Sequence, residues 1–152
     1  MKRKDKQTLI RYEKKLELAK SSQSVKVFES AKQRLENIEI AKKDFRYMVE
    51  RYFPHYATAK TPAFHINFSR KVKKNPQYLG FCQWGRALSK SVLNNILLPF
   101  WLWMNGQDVY FVLIGSSYER AKQLLEDIRA EFEANPQINL DFGNQHNPGN
   151  WE

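Results

Sequence analysis

With 152 residues, 42% of them hydrophobic and 14% aromatic, the chain is one domain's worth of sequence with enough apolar side chain for a core, which excludes wholesale disorder. A single cysteine, Cys82, excludes an internal disulfide, and three scattered histidines, His55, His65 and His146, give no metal-ligand spacing. The net charge of +9 sits in the front half: residues 1–75 carry 20 Lys/Arg against 8 Asp/Glu, and residues 76–152 carry 5 against 8.

That front half suits a polyanion such as DNA or RNA, or equally a solvated helical face behind a basic start. The opening MKRKDK has no apolar run behind it, so it does not read as a secretory signal. Helical spacing of Leu9, Ile10, Tyr12, Leu16 and Leu18 predicts a first helix over about 6–20. Ser21, Ser22 and Ser24 form a break with N-cap chemistry. A long helical stretch over about 25–53, in one piece or two, would bury Val27, Phe28, Ala31, Leu35, Ile38 and Ile40, then Phe45, Met48, Val49 and Tyr52. Pro54 stops it. The loop FPHYATAKTPAFH follows, and then a short amphipathic helix from about Ala63 to Lys74.

Residues 78–83, YLGFCQ, read as a strand that would bury the Cys82 thiol. The segment WGRALSKS comes next, and then an apolar run over 92–104. That run is broken by Asn94, Asn95 and Pro99 and is too short to span a bilayer, so a buried helix kinked at Pro99 is expected, capped by Asn105-Gly106. Residues 109–114, VYFVLI, are apolar on both faces, as a central parallel strand would be. A helix from about Glu119 to Ala134 follows, ended by Asn135-Pro136. The polar tail from Asn139 is expected to be loose. The order strand, loop, helix, strand, helix predicts an α/β fold: a parallel sheet with flanking helices, like a P-loop NTPase but incomplete, preceded by a helical arm. The expected division is a basic arm over 1–53, an ATPase-like part over 54–143 and a loose tail over 144–152.

Strand, basic loop, helix is the layout of a phosphate-binding loop, in which backbone N–H groups and a helix N-terminus converge on a polyphosphate. The full pattern is G-x-x-x-x-G-K-[ST]. Here Gly85 stands five residues before Lys90, and Ser89 replaces the second glycine. In that reading Lys90 reaches the terminal phosphates and Ser91 ligates magnesium.

The blocks FPHY, PAFH, GRALSKS, LLPFWLWMNG and VYFVLIGSSYERAKQLLEDIRAEFEANPQI, taken in order, resemble the N-terminal part of the ATPase domain of phage terminase large subunits, the DNA-packaging motors of tailed phages. The resemblance covers about Phe45 to Gly143. It implies ATP and Mg2+ as cofactors. It implies that Lys90 holds the β- and γ-phosphates, Arg86 contacts the γ-phosphate or senses its loss, Ser91 holds magnesium, and the backbone from Ala87 to Lys90 cradles the phosphates, so that Gly85, Arg86, Ala87, Leu88, Ser89, Lys90 and Ser91 bind the nucleotide and Arg86 and Lys90 are the catalytic residues. It also implies double-stranded DNA as partner, with a portal, a small terminase subunit and a homo-oligomer in the parent motor, inside a host cell. The family's acidic strand motif, which binds magnesium and activates water, does not follow Gly143, and its nuclease domain is absent from this sequence. Two alternatives stand beside this reading. One is a fragment of another P-loop NTPase such as a helicase. The other is a non-catalytic DNA- or protein-binding module with a vestigial loop.

Overall fold

The computed structural model describes residues 3–21, 29–107 and 110–145, with side chains from residue 6 onward. Among these residues every regular element is helical: α1 (Arg3–Lys20), α2 (Ala31–Lys43), α3 (Phe45–Tyr52), α4 (Ala63–Lys74), α5 (Lys90–Val92), a wide π-turn (Leu93–Leu97), α6 (Leu98–Met104), α7 (Tyr118–Ala134) and α8 (Pro136–Phe142). Ser22, Ser24, Val27 and Phe28, expected to form a break and part of a helical face, lie outside the described residues, as do Asp108, Val109 and the tail from residue 146.

Local chemistry sets the helix ends. Ser30 opens α2 with a capping box: its Oγ accepts from the Gln33 N–H at 3.3 Å, and Gln33 Oε1 accepts from the Ser30 N–H at 2.9 Å. Asp44 closes α2 with its own N–H and opens α3 by accepting from the Arg46 N–H at 2.9 Å, so one residue turns the chain between the two helices. From α5 to α6 the helix is continuous. Pro99 has no N–H to give, and the π-turn just before it absorbs the missing bond; Leu98 N–H reaches back to Leu93 O. Gly106, at φ +70°, ends α6 in the left-handed conformation that glycine adopts without strain.

The core is a helical sandwich of aromatic rings. Phe45, Met48, Tyr52 and Phe53 from α3 and its end meet Leu93, Ile96, Phe100 and Trp101 from the α5–α6 run, with Ile66, Phe132 and Ile138 closing the sides. Phe45 stands edge-on to Trp101 at 5.1 Å, and Phe53 edge-on to Phe100 at 5.0 Å. Trp101 Nε1–H donates to Ala41 O at 3.0 Å. Lys73 crosses the Trp101 ring at 4.3 Å and donates to Lys42 O and Asn105 Oδ1, each at 2.7 Å. Burial lowers the pKa of that lysine.

The expected α/β fold is overturned. No β-strand is present among the described residues, so there is no parallel sheet. Residues 78–83 and 110–114 form no ladder, and their large apolar side chains are on the surface: Leu79 is 86% exposed, Phe81 90%, Tyr110 92% and Ile114 87%. The cause is cooperative. Two strand-prone segments do not make an independently stable sheet, and segments apolar on both faces need cover on both. The helices instead bury their apolar faces against one another, so nothing is left over to cover these segments. Three smaller expectations change as well. Cys82 is half-buried rather than enclosed. Leu35 and Ile40 on α2 are exposed, while Ile38 and Ala41 form its buried edge. The tail begins later than expected, because Asn135 caps a further helix, α8, through Asn139 to Phe142.

Candidate phosphate-binding loop

The loop over 85–91 sits between α4 and the head of the α5–α6 run. Its shape comes from a lysine that folds back. Lys90 is the first residue of α5, and its Nζ donates to the carbonyl oxygens of Trp84 and, at 2.8 Å, Gly85. The ammonium therefore ties the loop's entry to its exit. Two residues inside it, Ala87 at φ 63° and Ser89 at φ 52°, are left-handed. L-residues avoid that conformation at a cost of roughly 1–2 kcal/mol each. Anion-binding nests are built from successive residues that alternate between right- and left-handed backbone.

Ser89 is the position at which the phosphate-loop pattern has its second glycine, and it carries the backbone conformation that glycine would hold freely. Gly85 is different. A Cβ there would meet only Leu88 Cδ1, at an ordinary 3.7 Å, so space does not demand glycine.

The loop is pinned to α4 by two devices. His65, buried, donates from Nε2 to Leu88 O at 3.0 Å. Burial lowers its pKa, and the bond to Leu88 offsets part of that. Trp84 is boxed by Phe64 at 5.0 Å, His65 at 5.2 Å and Phe68 at 5.5 Å. Gly85, Arg86, Ala87, Leu88, Ser89 and Ser91 are exposed, and Lys90 is half-buried.

The arrangement thus gathers two cations, Arg86 and Lys90, and two hydroxyls, Ser89 and Ser91, on one short loop that contains no carboxylate. That donor set fits an anion. Toward magnesium it offers side-chain hydroxyls alone, with Ser91 at the position the loop pattern assigns to the metal, which suits an ion held mainly by phosphate oxygens and water. Among the described residues no group of three or more His, Cys, Asp or Glu is placed to hold a metal.

Of the aromatic residues between Phe53 and His65, only the last two reach the loop or its entry, His65 at Leu88 O and Phe64 at Trp84. Phe53 is in the core against Phe100, and His55 is paired with Glu131 at 2.8 Å. The contribution of His65 has no linear signal, because its partner Leu88 lies 23 positions away. Also unread in the linear chain is a cluster of cations where the last turns of α2 and α4 meet: Lys43, Arg70, Lys71 and Lys74 are exposed there around the tied Lys73. No helix among the described residues is long and apolar enough to cross a membrane. Comparison with family models, curated proteins and solved structures finds no match.

Proposed function

We propose that the loop over 85–91 binds the β- and γ-phosphates of ATP, as the ATP-binding segment of a DNA-translocating motor that resembles the terminase large subunits. Lys90 moves from the carbonyls of Trp84 and Gly85 onto the phosphates. Arg86, exposed at the loop's shoulder, meets the γ-phosphate. The Ser91 hydroxyl would help to hold the magnesium that accompanies the nucleotide, which would neutralise phosphate charge. The observation that supports this reading is the left-handed backbone at Ala87 and Ser89, flanking the exposed loop that carries Arg86. It does not depend on a sheet. Phosphoryl transfer needs placed acidic groups as well as cations. The loop has none, so binding without turnover is the expected behaviour of this chain alone. Double-stranded DNA is the partner on this reading.

Thermal shift with Mg2+-ATP tests it. A ligand at about 100 times its Kd stabilises by about 2.7 kcal/mol. Wild type should gain stability and Lys90→Ala should not. A second reading, a non-catalytic helical module for DNA with a vestigial loop, is favoured by one observation: the Lys90 ammonium already has two acceptors within the chain. An absent shift in both proteins decides for it.

A further inference from the structure

Among the described residues, none from helix α1 joins the main core cluster. Of its apolar side chains Ala19 is buried, while Leu9, Ile10 and Leu18 are exposed. Much of its attachment to α7 is polar. Arg11 forks onto Glu126, with Nη2 at 2.8 Å from Oε2 and 3.0 Å from Oε1. Lys15 Nζ lies 2.6 Å from Asp127 Oδ1 and donates to Gln123 O at 3.0 Å. Tyr12 O–H donates to Glu133 at 2.6 Å, under the Arg129 guanidinium at 5.6 Å from the ring. The charges are complementary: residues 1–20 carry eight Lys/Arg and three Asp/Glu, and α7 carries three and five.

We propose that α1 is a basic arm that α7 holds in reserve, and that the phosphate backbone of double-stranded DNA competes with Glu126 and Asp127 for Arg11 and Lys15 and draws the arm away. The acidic face of α7 stands where the polyanion would stand. Ion pairs at partly exposed sites are weak and salt-sensitive, whereas buried apolar contacts are not. Beside the buried Ala19, α1 is held to α7 by ion pairs in which Arg11 is 33% and Lys15 21% exposed, and these are the contacts for which a dense line of phosphates can compete. The inference rests on the DNA partner proposed above and is independent of ATP binding.

The test combines hydrogen exchange with binding. Backbone amides of α1 should lose protection when a 30-base-pair duplex is added, while those of α3 and α6 keep theirs. The Glu126→Gln/Asp127→Asn variant removes the competitor and should bind the duplex about tenfold tighter than wild type. The charge-matched control Glu36→Gln/Glu50→Gln, at two exposed positions away from the arm, should tighten much less. If the Glu126 change prevents folding, Asp127→Asn alone carries the same direction. Equal affinities for the variant and its control overturn the proposal. Duplex binding with α1 still protected overturns it alone, whereas no duplex binding at all overturns the DNA partner with it.

Discussion

Arg51 and Asp141, 90 positions apart, are joined by two hydrogen bonds to one oxygen: Nε and Nη2 of the guanidinium lie 3.0 and 2.9 Å from Oδ2. Tyr52 O–H donates to the same oxygen at 2.9 Å, and Glu29 takes the far side of Arg51 at 2.9 and 3.1 Å. Burial works against the charge on Arg51, but Glu29 and Asp141 outweigh it and raise its pKa. The Asp141 side chain is fully enclosed. Arg51→Ala would leave that carboxylate buried with only the Tyr52 hydroxyl and, at 3.9 Å, Arg34 beside it, and a loss of about 3–5 kcal/mol is expected in urea unfolding. Adding Asp141→Asn should recover part of it. A single-variant loss below about 1 kcal/mol would show that the cluster is solvated and does not hold α8 to α3.

His65 gives the stability a pH dependence. Burial lowers its pKa from 6.5 in the folded chain, so the unfolded chain takes a proton first as the pH falls. The neutral ring's contribution is complete above about 6.5 and declines below it, down to the lowered folded-state value. The urea midpoint of wild type should fall across that window more than that of His65→Gln, whose amide can still donate to Leu88 O. Parallel pH profiles would rule out His65 as the source.

The legible parts of the fold were those specified by neighbours in sequence. α4 reads from its amphipathic spacing and from the prolines near its two ends, Pro62 and Pro76, and α7 from Ser117 and its apolar period. The start of α5 at Lys90 is where the serine-lysine pair suggests it. What escaped depends on distant partners. α8 looks like a polar tail until Asn135 is seen buried, with its Nδ2 donating to Tyr52 O, 83 positions away, while its Oδ1 accepts from Gln137 and Ile138. The sheet failed for the opposite reason. Apolar runs around Phe81 and Val112 have strand propensity, but a ladder exists only if another strand supplies its donors and acceptors. At the loop, the spacing of Gly85, Lys90 and Ser91 was visible, whereas the pinning of Leu88 by His65 was not.

The left-handed Ser89 predicts a stabilising substitution. Ser89→Gly removes roughly 1–2 kcal/mol of backbone strain and loses about 0.5–1 kcal/mol to the greater freedom of the unfolded chain. A net gain of about 0.5 kcal/mol, or roughly 1–2 °C in Tm, is expected for a domain of this size. Ser89→Val, β-branched at the same φ, should move Tm the other way. If both variants lower Tm, the left-handed conformation at 89 is not the one the loop holds in solution.

The exposed apolar residues of the two strand-prone segments predict poor solubility. Phe81 and Ile114 have large side chains almost wholly in solvent, and exposed patches of this kind drive association. Phe81→Lys/Ile114→Lys should leave the thermal unfolding midpoint within about 1 °C, since neither side chain packs in the core. It should also raise the concentration at which light scattering detects self-association. A variant that unfolds instead would show that these residues are buried in solution.

On the proposed DNA reading, the cation cluster at the ends of α2 and α4 carries part of the salt-dependent affinity, beside Arg11 and Lys15 of the released arm. α1 and α7 neutralise much of each other, Arg51 is enclosed by Glu29 and Asp141, and Lys42 is drawn to Glu39 at 2.7 Å. Lys43, Arg70, Lys71 and Lys74 remain exposed around two converging helix C-termini. Each lysine that contacts a phosphate contributes about 0.9 to the slope of log affinity against log salt. Lys71→Ala/Lys74→Ala should therefore flatten the slope by about 2 and weaken duplex binding at low salt far more than at high salt. Neither substitution removes a core contact, so Tm should hold. An unchanged slope would move the DNA surface away from this cluster, and the arm α1 would be the next segment to neutralise.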